Sequence, residues 1–442
     1  MAIHSDRTPI SFQDELPDAV DAVIIGGGVI GISTAWFLVK RGLRVLVCEK
    51  GRVAGEQSSR NWGWIRKQCR DPDELPIVID SQNIWEGLAG ELGEDLGFVR
   101  RGVAYLAETE RQLAGHAEWL DVAQQHQLDT RLLSAAEVDE LIDGPPGQYV
   151  GALHTPSDAR AEPFVAVAAL ARGVQRQGGR IIESCAVRGI ELEAGRVAGV
   201  ITERGPVRAS AAVCAGGAWT SLLLRHMGIN LPQLTVRATV ARTASAPDVY
   251  AGNAAAPDVA FRRRQDGGYT LASANVNEHL IGLDSFRHFP KFLPSLAASL
   301  RYVRLRFGGM FGRMVPQSWQ DDGESPFERV RVLNPAPSQA ALKQIRVRIN
   351  ARLPALADCP IEEAWAGMID VTPDVVPVMD EAPSHPGLFI ATGFSGHGFG
   401  IGPGAGRVMA ELVVGRPPPH DLTRFRFSRF SDGSAMRPGP GL

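Results

Sequence analysis

The strongest pattern in the sequence is a short apolar run that leads into a cluster of glycines. Residues 22–25 are long enough for a buried parallel strand, and residues 26–31 have the G-x-G-x-x-G spacing of a turn that opens into a helix. An amphipathic stretch follows, and then a second apolar run, 45–48, ends at Glu49. The pattern therefore predicts a strand, a glycine turn, a helix and a second parallel strand.

The residue types in this unit are those that bind an adenine dinucleotide. Gly26 allows a tight turn, Gly28 lets the backbone approach a pyrophosphate, and Gly31 lets the helix pack closely on the strand. The free N–H groups of the helix N-terminus then face the anion. Glu49 can accept hydrogen bonds from a ribose hydroxyl and would repel a 2′-phosphate. The unit alone does not distinguish FAD from NAD, and an ordinary glycine-rich turn is the alternative interpretation.

Helix and strand patterns alternate along the rest of the chain. Helices are predicted near residues 75–96, 110–125, 134–142, 161–177, 339–353 and 404–414. Strands are predicted near residues 98–107, 180–183, 187–192, 197–202, 211–215, 234–240 and 388–391, with a hairpin over 261–271. Residues 292–307 could form a solvated amphipathic helix or a lid. Because apolar strands that end in glycines recur late in the chain, we expect a discontinuous nucleotide-binding domain.

Composition narrows the class of protein. A chain of 442 residues exceeds the size of one hydrophobic core, and 44% hydrophobic with 21% charged residues is ordinary for a globular enzyme. The net charge of −3 gives no reason to expect a nucleic-acid partner. The five cysteines have no metal-ligand spacing, so we expect no metal and reduced thiols in the cytoplasm. No apolar run reaches 18 residues, and the polar first 20 residues lack a signal-peptide pattern.

Two further segments carry candidate chemistry. The loop 55–68 contains hydroxyls that can bind phosphate or flavin oxygens, cations that can meet anions, and indoles that can stack on a planar ring. Its alternative is a packed surface loop with solvated charges. The glycine-rich loop 393–400 follows a buried strand and precedes a helix, which would direct a second set of free N–H groups at a bound group. An NAD-linked dehydrogenase would leave this second loop unexplained.

With these motifs assembled, the chain resembles the FAD-dependent amine and amino-acid oxidoreductases of the D-amino-acid oxidase and sarcosine oxidase superfamily. The matching segments are residues 23–31 with Glu49, the Ser58-Ser59 loop, the strand at Val187, and residues 214–219, 372–374 and 393–399. The resemblance implies an α/β fold, α+β overall. A Rossmann-like FAD-binding domain would comprise residues 20–74, 156–235 and 365–420, and a mixed-sheet substrate domain 75–155 and 236–364. Residues 1–19 and 421–442 would be peripheral tails.

The resemblance also assigns a cofactor and its ligands. FAD would be bound by Gly26, Gly28, Val29, Ile30, Gly31, Glu49, Lys50, Ser58, Ser59, Arg60, Asn61, Trp62, Val187, Ala215, Gly216, Trp219, Gly393, Gly396, His397, Gly398, Phe399, Gly400 and Ile401. Three positions depart from the sarcosine oxidase pattern. Gly367 stands where a covalent flavin cysteine would be, Gly400 where a substrate-binding lysine would be, and Thr270 where an oxygen-activating lysine would be. These departures imply non-covalent FAD and favour a dehydrogenase.

The implied reaction is oxidation of a carbon–nitrogen bond in an amino acid or secondary amine. A hydride would leave the carbon beside a neutral amine for flavin N5, and water would hydrolyse the imine. A carboxylate on the substrate needs a cation, for which Arg66 and Arg313 are candidates, each with an ordinary surface arginine as its alternative. Tyr269 could close the pocket or belong to the core, and His397 is expected to hydrogen-bond flavin or backbone rather than to act as a base.

Several alternatives stay open. The electron acceptor is oxygen or another carrier, and an oligomer is possible. The principal rival function is a non-catalytic or partner-dependent flavin-binding subunit of a larger dehydrogenase complex. A flavin hydroxylase is disfavoured because no segment resembles a nicotinamide-binding unit.

Overall fold

The computed structural model describes residues 3–274, 277–299, 303–308 and 318–439. The strands are β1 Ala22–Ile25, β2 Val45–Glu49, β3 Trp64–Ile65, β4 Val99–Arg100, β5 Val103–Ala107, β6 Arg131–Ser134, β7 Gly151–Thr155, β8 Ala159–Arg160, β9 Arg180–Glu183, β10 Val187–Glu193, β11 Arg196–Thr202, β12 Gly205–Arg208, β13 Ala211–Cys214, β14 Leu234–Thr243, β15 Asn253–Ala255, β16 Val259–Arg263, β17 Tyr269–Ser273, β18 Asn277–Ile281, β19 Val303–Phe307, β20 Ile361–Val371, β21 Val378–Glu381 and β22 Leu388–Thr392.

The helices alternate with these strands. They are α1 Val29–Val39, α2 Gln57–Arg60, α3 Leu75–Leu92, α4 Glu110–Ala117, α5 Leu120–Gln125, α6 Ala135–Leu141, α7 Pro163–Arg176, α8 Thr220–His226, α9 Leu283–Arg287, α10 Phe289–Ser299, α11 Pro326–Arg329, α12 Gln339–Arg352 and α13 Gly398–Val413. Within the ranges that the structure describes, no helix combines the length and the apolar composition needed to span a bilayer.

The first sheet contains the predicted nucleotide-binding unit. Its strand order is β21-β22-β13-β1-β2-β9, and it is parallel except where β21 pairs with β22. Successive side chains of β1 point to opposite faces, so Ile24 packs into the core beneath α1, α3, α7 and α13. Val23 packs on the other face, against α8 and the small sheet β10-β11-β12. Covering both faces buries the four side chains of β1.

A second, mixed sheet is built from chain segments that interleave with the first. Its strands follow the order β19-β18-β14-β17-β16-β15-β5-β7-β6, and β20 pairs antiparallel with β14 from Val371 opposite Leu234 to Ile361 opposite Thr243. Apolar residues of this sheet, including Phe261, pack against Ile345 and Ile349 of α12. The α/β, α+β-overall fold class predicted from the sequence is therefore confirmed.

The segment 292–307 is neither a single helix nor a continuous lid. The structure has α10 up to Ser299 and then β19, which pairs in parallel with β18. Residues 303–307 alternate apolar and arginine side chains, which is the two-residue period of a strand and not the period of a helix.

Three other element boundaries differ from the sequence-based expectation. The predicted helix 110–125 divides into α4 and α5. The predicted strand 98–107 divides into β4 and β5, with Gly102 between them at a φ of 80°. The last predicted helix begins at Gly398, six residues before the expected start, because its first turns pack directly on α1 and α3.

Both terminal segments, expected to be peripheral, contribute to the packed interior. Phe12 is 3% exposed and Phe425 is 0% exposed. Arg429 donates to Asp374 at 2.8 Å in a buried ion pair. These contacts join the C-terminal segment to the turn that follows β20.

The contact between α1 and α13 leaves no room for a side chain at Gly406. A Cβ atom added at Gly406 would lie 2.4 Å from Ser33 Cβ and 2.5 Å from Ser33 C. We therefore expect Gly406→Ala to lower the free energy of unfolding by ~1–3 kcal/mol, because the helices must separate. Chemical denaturation of the holoprotein would measure the change.

The matched control is Gly87→Ala on α3. A Cβ atom at Gly87 meets nothing within 4 Å, so alanine should stabilise that helix by ~0.5–1 kcal/mol. Equal effects of the two substitutions would contradict the packing argument.

Candidate cofactor and substrate cavity

A cavity of about 560 Å³ lies at the carboxyl ends of the central strands of the first sheet. Ile25, Glu49 and Ala215 line it from the first sheet and the turns after its strands, and Val240 and Ser273 line it from the second sheet. The carboxyl ends of parallel strands are where doubly wound folds bind their ligands. The position therefore agrees with the glycine motif.

The glycine turn leaves its backbone open to a bound anion. Gly26 has a φ of 112°, and a Cβ atom there would lie 2.5 Å from the carbonyl oxygen of Ala215. Gly28 precedes α1 and has no side chain that could cap it. The Val29 N–H donates instead to Ser58 Oγ at 2.8 Å. Ser58 thus orients the turn while its own hydroxyl hydrogen stays available. This cradle fits a pyrophosphate.

Glu49 is held in place at the other side of the turn. Its Oε2 accepts from Gly27 N at 2.7 Å and its Oε1 accepts from Gly51 N at 2.7 Å. Burial raises the pKa of this carboxyl to about 7. Each carboxylate oxygen has a second lone pair, so hydrogen bonds from ribose hydroxyls can still be accepted. The structural position fits the adenosine half of a dinucleotide.

Two of the cations that were predicted to bind FAD, Lys50 and Arg60, already contact oxygen atoms of the protein. Lys50 Nζ lies 2.7 Å from Glu56 Oε1 and 4.1 Å from the centre of the Trp219 ring. Arg60 donates to Asn334 at 2.7 Å and to the Ala366 carbonyl at 2.9 Å. Both side chains line the cavity, and their contacts fix its walls.

One end of the cavity is formed by the start of α13. Gly398, Phe399, Gly400 and Ile401 line it, so the positive end of the helix dipole faces the cavity. His397 precedes the helix, and neither of its ring nitrogens has a hydrogen-bond partner. Burial, with a smaller contribution from Arg66, lowers the pKa of His397 to about 3. The imidazole is therefore neutral near pH 7.

Arg66 lies at this end, as the sequence suggested. Its Nη1 donates to the Gln68 carbonyl, and its guanidinium carbon lies 5.4 Å from the centre of the Tyr105 ring. Trp64 and His116 flank Tyr105, with ring centres at 6.4 and 6.0 Å. An arginine among aromatic rings that line the same cavity can bind a substrate carboxylate.

The structure brings most of the predicted ligands to the cavity. The lining includes Gly26, Gly28, Val29, Ile30, Glu49, Lys50, Ser58, Arg60, Asn61, Trp62, Val187, Ala215, Gly216, Trp219, Gly396, His397, Gly398, Phe399, Gly400 and Ile401. Gly31, Ser59 and Gly393 do not line it. Gly31 packs against the turn, since a Cβ atom there would lie 2.0 Å from Gly26 O, and the Ser59 hydroxyl is turned towards the Glu56 carbonyl.

Tyr269 is a core residue and does not close the pocket. Its hydroxyl accepts from Val249 N at 2.9 Å and from Tyr250 N at 3.2 Å, and the side chain is absent from the cavity lining. These contacts satisfy its hydroxyl within the second sheet, where the side chain is buried. Arg313 lies outside the described residues.

The three departures from the sarcosine oxidase pattern occupy different surroundings. Gly367 lines the cavity beside Arg60. Gly400 also lines it, and a Cβ atom there would lie 3.2 Å from the Trp64 carbonyl oxygen. Thr270 is buried and accepts from Arg262 at 3.2 Å, so it does not reach the cavity.

Sequence reasoning missed Arg70, in the loop before α3, and the residues that the second sheet and α4 bring to the cavity. The latter are Tyr105, Gln112, His116, Ala255, Ser273 and Asn277. Each stands alone in a stretch with an ordinary strand, helix or loop pattern, so the sequence offered no motif that could have identified them. Within the described part of the chain, no cluster of three histidine, cysteine or acidic side chains is placed to hold a metal.

The fold and the cavity together define a dinucleotide-binding flavoprotein. The family model for FAD dependent oxidoreductases matches residues 21–412. The chain therefore belongs to the FAD-dependent oxidoreductase family, and its cofactor is FAD.

Individual relatives share the fold over nearly the whole chain. A solved structure of the L-amino acid deaminase from Proteus myxofaciens, in complex with anthranilate, is 32% identical with a TM-score of 0.92, covering 97% of this chain and 98% of that one. The sarcosine oxidase subunit beta of Rhodobacter capsulatus is 25% identical over 94% of this chain and 90% of its own length. The mitochondrial sarcosine dehydrogenase of Mus musculus is 23% identical over 94% of this chain, which spans only 42% of that relative.

Glu74 predicts a pH dependence of stability. Both of its carboxyl oxygens are buried without hydrogen-bond partners, and burial raises its pKa from 4.5 to about 8. Between those pH values the folded state retains a proton that the unfolded state has lost, so stability falls as pH rises through this window. Glu74→Gln should therefore raise the free energy of unfolding by ~1–3 kcal/mol at pH 8 and change it little near pH 4.5.

Denaturation of the variant and the wild type at both pH values would measure this difference. Glu86→Gln is the control on the same helix, because a hydrogen bond from Arg100 holds the pKa of Glu86 below its ordinary value. At neutral pH, Glu86→Gln should therefore lower the free energy of unfolding, whereas Glu74→Gln should raise it. A gain for Glu74→Gln that is equal at the two pH values would contradict the role of ionisation.

Proposed function

We propose that this protein oxidises a carbon–nitrogen bond in an amino acid or a secondary amine, with FAD as the electron acceptor and water releasing the imine as a carbonyl product. The relatives support this reaction, since their names cover sarcosine dehydrogenase, sarcosine oxidase and L-amino acid deaminase. The observation that carries the proposal is Arg66, which stands among aromatic rings at the end of the cavity formed by the start of α13.

The chain's own residues would bind and orient the reactants. Arg66 would hold the substrate carboxylate, and Tyr105 with Trp64 would keep water from that region. The binding of anthranilate, an aromatic carboxylate, by the Proteus relative supports such a subsite. FAD supplies the hydride acceptor. The N-terminus of α13 would stabilise negative charge in front of it, since the helix N–H groups carry partial positive charge.

His397 has no part as a base in this scheme. Its imidazole is neutral, buried and lowered in pKa to about 3, so it would be a poor proton acceptor near pH 7. It would serve as a hydrogen-bond partner for the bound cofactor. We propose a dehydrogenase rather than a fast oxidase, because Thr270 stands where the family resemblance places an oxygen-activating lysine, and Lys50, the lysine that lines the cavity within the described residues, is paired with Glu56.

The domain boundaries follow from the same interpretation. We propose that residues 20–74, 156–235 and 365–420 bind FAD and that residues 75–155 and 236–364 form the substrate domain. A second candidate function is a flavin-bearing subunit of a larger complex. It is favoured by the sarcosine oxidase subunit beta of Rhodobacter capsulatus, which this chain matches over 90% of that subunit's length.

Anaerobic reduction of the bound flavin separates the two candidates. The purified yellow protein would be mixed with D- and L-amino acids, N-methyl amino acids and opines, and the visible flavin absorption followed. Bleaching by any of these compounds would support the proposed reaction. Full retention of the flavin band with all of them would favour the subunit role, and a colourless protein with no flavin band would overturn both.

Arg66→Met tests the carboxylate subsite. The substitution keeps the length of the side chain and removes the charge, so the KM for a carboxylate substrate should rise about 10- to 1000-fold, as expected when one partner of a buried charge pair is lost. Flavin content should stay unchanged, because Glu49 and Ser58, which hold the pyrophosphate cradle, are not altered. Arg196→Met, at the exposed first residue of β11, is the control. Equal KM values for the wild type and Arg66→Met would exclude Arg66 as the carboxylate ligand.

A further inference from the structure

Arg70 is a second cation that lines the cavity, and its Nε and Nη2 atoms have no hydrogen-bond partner among the described residues. The cations that line the cavity within the described residues are Lys50, Arg52, Arg60, Arg66, Arg70 and Arg331. Carboxylates hold Lys50 and Arg331, while backbone carbonyls and side-chain oxygens hold Arg52 and Arg60. Arg66 and Arg70 are the two that lack such a set of acceptors.

The side chain of Arg70 is confined but unsatisfied. The residue is 4% exposed, and its Nε and Nη2 atoms are buried without a hydrogen-bond partner. Its backbone is fixed at both ends, since its N–H donates to the Lys67 carbonyl and its own carbonyl accepts from Trp119 Nε1 at 3.3 Å. A guanidinium held in this way is not a mobile surface group. Burying it without an anion costs several kcal/mol in general, so a missing anion is indicated.

The acids near this loop are already committed. Asp71 pairs with Arg424 at 3.0 Å, and Asp158 lies 3.1 Å from Lys67 Nζ. Glu74 lies 3.7 Å from His397 Nδ1 and close enough to Arg66 for that cation to oppose the rise of its pKa to about 8, but the Glu74 carboxyl forms no ion pair with either arginine among the described residues. The loop between β3 and α3 therefore carries two arginines that line the cavity and have no paired carboxylate within the described part of the chain.

The cofactor's phosphates have their own cradle. It is formed by Gly26 and the N-terminus of α1, whereas Arg66 lies over the ring of Tyr105 in the second sheet. Arg66 and Arg70 both line the cavity, so a bidentate pair with the α-carboxylate engages one guanidinium and leaves the other for a second anion.

We infer that the substrate carries a second carboxylate, which binds Arg70, so that the protein acts on a dicarboxylic amino acid. This inference rests on the proposed amino-acid oxidation and narrows its substrate class. Arg66 holds the carboxylate next to the reacting carbon, and Arg70 holds the one on the side chain. A substrate with a side-chain amide of the same shape lacks the charge and leaves the Arg70 guanidinium unpaired. The protein should therefore select the acid over the amide.

Matched acid and amide pairs test the inference on the FAD-bound protein. Anaerobic flavin reduction would be measured with glutamate against glutamine and aspartate against asparagine, each as both enantiomers. We expect the apparent second-order rate constant of one acid to exceed that of its amide by at least about tenfold. Arg70→Gln should abolish this ratio, because it lowers the rate with the acid far more than the rate with the amide. Arg196→Gln, at the exposed first residue of β11, should leave the ratio unchanged.

A binding measurement gives a second readout that does not depend on turnover. Trp62 and Trp64 line the cavity, so their fluorescence should report ligands. Glutarate should bind at least about tenfold more tightly than butyrate to the wild type and equally to Arg70→Gln.

The outcomes separate this inference from the proposed function. Bleaching by amides as fast as by acids, or an acid preference that survives in Arg70→Gln, would overturn the dicarboxylate assignment and leave amino-acid oxidation standing. Tight binding of glutarate with no bleaching by any amine would support the second anion subsite and overturn the proposed reaction.

Discussion

The close approach of α1 and α13 is the constraint on which the cavity depends. A Cβ atom at Gly402 would lie 2.6 Å from the Val29 side chain, and one at Gly406 would lie 2.4 Å from that of Ser33. Only helices without side chains at these positions can pack at this distance. Because both helices then begin at the cavity, the positive ends of two helix dipoles face it. The packing of the core and the electrostatics of the site are therefore set by the same contact.

The charges around the cavity fall into two kinds. Lys50 and Arg60 are paired with protein oxygens and form walls, and Glu49 is fixed by two backbone N–H groups. Arg66 and Arg70 keep unused hydrogen-bonding capacity. The first kind positions a cofactor, since the groups are already oriented before it binds. The second kind leaves charge that a ligand can neutralise, and the proposed substrate selectivity rests on it.

Local sequence patterns predicted the first sheet correctly. The strand before Gly26, the turn and the placing of Glu49 at the end of β2 were all found, because these residues lie within one continuous unit whose period and glycine spacing are informative. The start of α13 was missed because glycines and a proline in its first turns have low helix propensity, which tertiary packing overrides. Tyr269 was ambiguous because a tyrosine that hydrogen-bonds backbone in a core and one in a pocket have the same sequence pattern.

The sequence by itself determined the class of cofactor, the alternation of strands and helices, and the identity of the loop that carries Arg66. The tertiary structure alone decided which distant residues complete the cavity. Tyr105 and His116 reach Arg66 only because the second sheet and α4 lie over the cofactor end of the first sheet. Likewise, the partners available to Arg70 are set by long-range packing. A side chain's neighbours across the fold depend on contacts between segments far apart in the chain, and no local period encodes those contacts.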